Sequence, residues 1–121
     1  MGQKVLVVDD EVDFVDAVKM RLEANGYEVI TAYNGKEGLD KAASEMPSLI
    51  FLDLVMPKVN GFEMLSRLKE DTALCHIPVV IMTAKCETEY VFDAGKLGAE
   101  DYIVKPVSMD GIIQIAQKYI S

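Results

Sequence analysis

The chain has 121 residues, half of them hydrophobic, and a formal net charge of −8. That length builds one domain around a single core, with 1–121 read as one unit and elements expected from about residue 4 to 120. The acidic balance argues against direct nucleic-acid binding, which needs a basic patch, and no apolar stretch approaches the ~18 residues of a membrane span.

The same balance suits cation binding and docking onto basic partner surfaces. The chain does not open with a basic segment, an apolar segment and a small-residue cleavage site. Met1-Gly2 resembles a myristoylation start, but Leu6 stands where Ser or Thr is required, so a cytoplasmic location without a membrane is expected.

Apolar runs alternate with helical patterns five times. A strand is expected over Lys4–Val8, ending in Asp9 and Asp10. The helix expected near Glu11–Ala24 carries Phe14, Val15, Val18 and Leu22 at helical spacing and is stopped by Gly26. A second strand over Glu28–Ala32 leads to Asn34, a helix cap, and a helix near Lys36–Glu45. The third strand, Leu49–Leu52, ends in Asp53; Asn60 then caps a helix over Gly61–Glu70. The fourth strand, Pro78–Thr83, precedes a helix near Glu87–Leu97. The fifth, Asp101–Val104, ends in Lys105-Pro106, and Ser108 caps the last helix over Met109–Tyr119. Strands this short and this rich in Val, Ile and Leu suit burial on both faces of a parallel sheet.

Five βα units imply an α/β fold: a doubly wound, five-stranded parallel sheet with helices on both faces. Function in such folds sits outside the carboxyl ends of the strands. Those ends hold Asp9, Asp10, Asp53, Thr83 and Lys105. Three carboxylates brought within ~4 Å repel one another by ~4 kcal/mol per pair at an effective dielectric near 20. Raised pKa values or a bound cation must compensate, and hard oxygen ligands at an open site favour Mg²⁺ or Mn²⁺. Lys105 is a point charge suited to a phosphate oxygen, and the Thr83 hydroxyl can donate to the same group. Cys75 and Cys86 lack zinc-site spacing, and His76, the single histidine, offers no Ser-His or Cys-His pair. A carboxylate is therefore the nucleophile to expect, as in aspartyl-phosphate chemistry, with Asp53 on the middle strand best placed.

Val7-Val8-Asp9-Asp10-Glu11, Asp53-Leu54-Val55-Met56-Pro57 with Gly61, Met82-Thr83-Ala84 and Lys105-Pro106 together resemble the receiver domain of two-component response regulators. The resemblance covers almost the whole chain. It implies a CheY-like, flavodoxin-like three-layer sandwich with strand order 2-1-3-4-5. It implies that Asp53 accepts a phosphoryl group from the phosphohistidine of a sensor histidine kinase or a phosphotransfer protein. Mg²⁺ would be held by Asp10, Asp53 and the backbone carbonyl of Val55, with Asp9 acting through water. Thr83 and Lys105 would hold phosphate oxygens, Thr83 and Tyr102 would act as the switch, and Lys105-Pro106 would be a cis peptide. The output would be a surface of the fourth helix, fifth strand and fifth helix, including Tyr90, Val91, Lys96 and Tyr102. That surface would meet a downstream effector, a fused output domain or a second copy. Such a domain is a phosphoacceptor, catalysing only its own phosphorylation and dephosphorylation.

Several positions depart from the common pattern. Val59-Asn60 replaces Met-Asp before Gly61, and Val107 stands where Phe is frequent. Val55 and Lys85, two residues beyond Asp53 and Thr83, border the path of an attacking water. A haloacid-dehalogenase-like phosphatase would need an Asp at the position of Val55. A flavin or nucleotide carrier would need a glycine-rich loop where Asp10-Glu11-Val12-Asp13 stands. A receiver that only docks would not need all five strand-end residues. The broad apolar face of the last helix (Met109, Ile113, Ala116 and Ile120, flanked by Ile112, Ile115 and Tyr119) fits core packing first and a partner surface second.

Overall fold

The computed structural model describes residues 3–54, 60–84, 90–105 and 108–120. Ten elements alternate: β1 (Lys4–Val8), α1 (Val12–Ala24), β2 (Glu28–Ala32), α2 (Gly35–Glu45), β3 (Leu49–Asp53), α3 (Gly61–Glu70), β4 (Val79–Ala84), α4 (Tyr90–Lys96), β5 (Asp101–Lys105) and α5 (Met109–Tyr119). The five strands pair in parallel in the order β2-β1-β3-β4-β5, as expected. Boundaries differ from the sequence reading by a residue or two at the site. Asp53 and Lys105 are the last residues of their strands rather than the first beyond them, and Pro78, with no N–H to give, stays outside β4.

Three helices, α2, α3 and α5, start where a side chain satisfies one of their first N–H groups. Asn34 accepts from the Glu37 N–H at 2.9 Å, Asn60 from the Glu63 N–H at 3.0 Å, and the Ser108 hydroxyl from the Gly111 N–H at 3.0 Å. Gly26 ends the α1 segment at φ +91°, a left-handed conformation cheap only without a Cβ. The end of α2 lacks that provision, and Met46 adopts φ +48° there.

Two disjoint cores lie on opposite faces of the sheet. On one, Val5, Val7, Phe51, Val80 and Met82 pack against Val15, Val18 and Leu22 of α1 and Ile112, Ile113 and Ala116 of α5. On the other, Leu6, Val8, Ile50, Leu52, Val79 and Ile81 pack against Ala42 of α2, Met64, Leu65 and Leu68 of α3 and Ala94 of α4. Strand residues alternate between the two because successive side chains point to opposite faces. The apolar stripe of α5 is therefore largely core, with Met109, Ile115, Tyr119 and Ile120 only partly covered. On the outer side of that layer the Arg21 guanidinium pairs with Asp110 across α1 and α5.

The α5 helix is also tied to β5. Asp101 accepts from the Lys118 ammonium at 3.2 Å and the Tyr119 hydroxyl at 3.1 Å. Burial pulls the Asp101 carboxyl upward, but the Tyr102 N–H, Lys118 and Tyr119 together outweigh it and hold its pKa below the ordinary carboxylate value. At the same end of the sheet but on its other face, Lys69 donates to the carbonyls of Cys75 and Ile77 and to Glu100 at 2.9–3.2 Å, bracing α3 against the start of β4.

Candidate functional site

Parallel pairing fixes the order of chemistry along the carboxyl rim. Val8 faces Leu52, so Asp9 follows level with Asp53, while Asp53 faces Met82 and Ala84 faces Lys105. Asp9, Asp53 and Lys105 continue the alternation of Val7, Phe51 and Ile103, which puts all three on the α1–α5 face. Thr83, fully buried, takes the parity of Ile81 on the α2–α3–α4 face. Lys105 crosses two intervening strands, β4 and β3, to reach β1. Only a long, unbranched cation spans that gap.

The Lys105 ammonium donates to Asp9 Oδ2 at 2.6 Å and to Glu11 Oε1 at 2.8 Å, and lies 3.5 Å from Asp53 Oδ2. It also sits 4.7 Å above the Phe14 ring, within cation–π range. Burial alone would favour the neutral amine, yet its bonds to Asp9 and Glu11 and the Asp53 charge hold its pKa above the ordinary lysine value. Asp9 is completely buried, and that burial raises its carboxyl above the usual range despite the opposing pull of Lys105 and of the Glu11 N–H. Both Asp9 oxygens are engaged, Oδ1 by the Glu11 N–H at 2.9 Å and Oδ2 by Lys105.

Asp9, Asp10 and Asp53 each bring a carboxylate oxygen within 4.8 Å of the others, with Asp10 open to solvent. The donor set is all hard oxygen, partly open, with excess negative charge beside the Lys105 ammonium. It fits a small divalent cation such as Mg²⁺.

The local backbone holds this rim by close approach at Gly61. Its N–H donates to the Leu54 carbonyl at 2.9 Å, and a Cβ placed there would lie 2.4 Å from the Asp53 carbonyl oxygen and the Leu54 Cα. Only glycine lets the first turn of α3 press against the end of the strand that carries Asp53.

The structure thus brings Asp9, Asp10, Asp53 and Lys105 together, places Thr83 on the adjacent strand end, and leaves Tyr102 about half exposed on β5. Val55, Pro57, Val59, Lys85, Cys86, Pro106 and Val107, and with them the Val55 carbonyl and the Lys105-Pro106 peptide, lie outside the described residues. So do the side chains of Tyr90 and Val91. Two members of the cluster were not read from the sequence as site residues. In the sequence Glu11 reads only as part of an acidic motif, and Phe14 only as part of the α1 core stripe.

The family model for the response regulator receiver domain matches residues 5–117. The chain belongs to that family. It is 43% identical over 108 residues to the alkaline phosphatase synthesis transcriptional regulatory protein PhoP of Bacillus subtilis, covering 89% of this chain and 44% of that protein. It is 36% identical over 110 residues to the response regulator ArlR of Staphylococcus saprophyticus, covering 91% and 49%. The chain therefore spans less than half the length of these relatives. Among solved structures, the chemotaxis protein CheY4 of Vibrio cholerae matches with a TM-score of 0.92 at 29% identity, over 99% of this chain and 100% of that one. The receiver domain of NtrX from Brucella abortus matches with a TM-score of 0.88 at 32% identity, over 96% and 97%. The architecture inferred from the sequence and the family it resembles are thus both established.

Proposed function

We propose that this chain, read as one domain over 1–121, is a phosphorylation-operated switch in which Asp53 is the phosphoacceptor. The observation that carries this reading is the ammonium of Lys105 held 3.5 Å from Asp53 at the rim where three strands end. An Asp53 oxygen attacks the phosphorus of a phosphohistidine on a sensor kinase or phosphotransfer protein. The P–N bond breaks, an acyl phosphate forms, and the imidazole leaves with the electron pair. Little covalent help is needed, because transfer depends on positioning and charge neutralisation. Lys105 offsets the charge arriving on the phosphoryl oxygens, and the Thr83 hydroxyl donates to one of them.

Asp10 and Asp53, with the Val55 carbonyl, are the residues to hold Mg²⁺. The engagement of both Asp9 oxygens, by the Glu11 N–H and by Lys105, supports a role for Asp9 through water. When bound, Mg²⁺ supplies charge neutralisation for the carboxylates and the transferring group. The output surface is α4–β5–α5, where Tyr102 and Lys96 are exposed, and its partner is an effector, a linked output module or a second copy. The chemistry is confined to the chain's own acyl phosphate, in a soluble cytoplasmic setting.

Labelling with a radioactive acyl-phosphate donor tests the reading. Incorporation that requires Mg²⁺ and disappears in Asp53→Ala is expected; undiminished labelling in that variant refutes the assignment of Asp53. Light scattering with and without beryllofluoride, a phosphoryl mimic, tests the dimer arm, which an unchanged monomer mass would exclude.

A further inference from the structure

Lys105 has three protons to donate and no acceptor role. Two are committed, to Asp9 and to Glu11. The Phe14 ring lies 4.7 Å away on the same side as α1. Among the described residues, three of the four groups around the ammonium therefore come from the β1–α1 segment rather than from the strand of Asp53. Glu11 occupies the N-cap position of α1 but makes no side-chain cap bond. Its carboxylate does not serve its own helix. It reaches Lys105, almost the whole chain away in sequence, while remaining mostly exposed.

The third proton is open to a phosphoryl group on Asp53, but the bonds to Asp9 and Glu11 hold the ammonium towards β1, 3.5 Å from the Asp53 oxygen, so it must shift to meet that group. The Glu11 charge also lies where it opposes an incoming anion. Asp9 cannot be relieved of Lys105 without leaving a buried carboxylate uncompensated, whereas Glu11 has water as an alternative partner. Of the two bonds, the one to Glu11 is therefore the one that yields.

Resting on the phosphoacceptor reading above, we infer that Glu11 is a positioning residue that competes for Lys105. It sets how tightly a phosphoryl group at Asp53 is held, with the Phe14 ring as the platform from which the ammonium turns.

The test is the affinity of beryllofluoride for the intact chain at saturating Mg²⁺, followed by fluorine NMR, with Asp53→Asn as the control for binding at that carboxylate. Glu11→Gln is expected to tighten the adduct about three- to fivefold, the upper scale of an exposed charge pair. Asp13→Asn removes the same charge from the first turn of α1 without touching Lys105 and is expected to stay within about twofold of the wild type. Unchanged or weaker binding in Glu11→Gln overturns the inference while leaving Asp53 as phosphoacceptor. Equal tightening in both variants also overturns it, since the effect would then be general charge. Absence of any adduct in the wild type overturns the phosphoacceptor reading and this inference with it.

Discussion

Lys105 is the residue on which the rim depends, and its loss should be felt before any chemistry begins. It compensates Asp9, which has no contact with water, and lies beside the nearly buried Asp53. Removing one partner of such a pair leaves a stranded charge, which typically costs about 3–5 kcal/mol. Lys105→Met should therefore lower the urea midpoint of the metal-free protein by an amount corresponding to a few kcal/mol, measured by circular dichroism. An exposed lysine such as Lys36, changed the same way, should be near neutral. The residues of this rim were legible in the sequence because each ends an apolar run, where a charge is conspicuous. Glu11 and Phe14 were not. Their importance depends on Lys105 reaching back over two strands, a distance that no periodicity encodes. A phenylalanine in a helical stripe reads as core whichever edge of the core it occupies.

At the scale of elements, three joints invite measurement. Gly61→Ala must push the Asp53–Leu54 backbone aside, since the contact it would make is with main chain and not with a yielding side chain. A loss of about 1–3 kcal/mol is expected, together with slower Asp53 labelling, because the displaced atoms carry Asp53, the proposed phosphoacceptor. Met46 ends α2 at a positive φ without being glycine. Met46→Gly should therefore raise stability by roughly 0.5–1 kcal/mol in chemical denaturation. The β5–α5 joint depends on pH. Asp101 has a depressed pKa in the folded state, so its contribution is present above the unfolded carboxylate value of ~3.9 and is lost as pH falls through the folded value. Asp101→Asn should thus be less stable than the parent at pH 7, with the gap in melting temperature closing as the pH is taken below ~4. Element type and order followed from composition and spacing, and the caps from Asn34, Asn60 and Ser108. Strand ends shifted by a residue because hydrogen bonding continues through Asp53 and Lys105. Polarity alone would have ended both strands earlier.

For the whole molecule, the two cores on either side of one sheet govern stability. Phe51 is fully buried among α1 and α5 residues, and Phe51→Ala should cost about 3–5 kcal/mol, a large share of the ~5–15 kcal/mol available to a domain. A cation bound only by the native state raises stability by mass action. Millimolar MgCl₂ should therefore raise the melting temperature of the wild type, and Asp10→Asn should reduce or abolish that shift while leaving the metal-free melting temperature close to the parent's. The partition itself has a further consequence. Lys105 works from the α1–α5 side and Thr83 from the other, and the two apolar clusters share no residue. A phosphoryl group at the rim would therefore be gripped from both sides of the sheet at once. The proposed α4–β5–α5 surface would feel both grips, because α4 packs on the Thr83 side of the backbone wall and α5 on the Lys105 side.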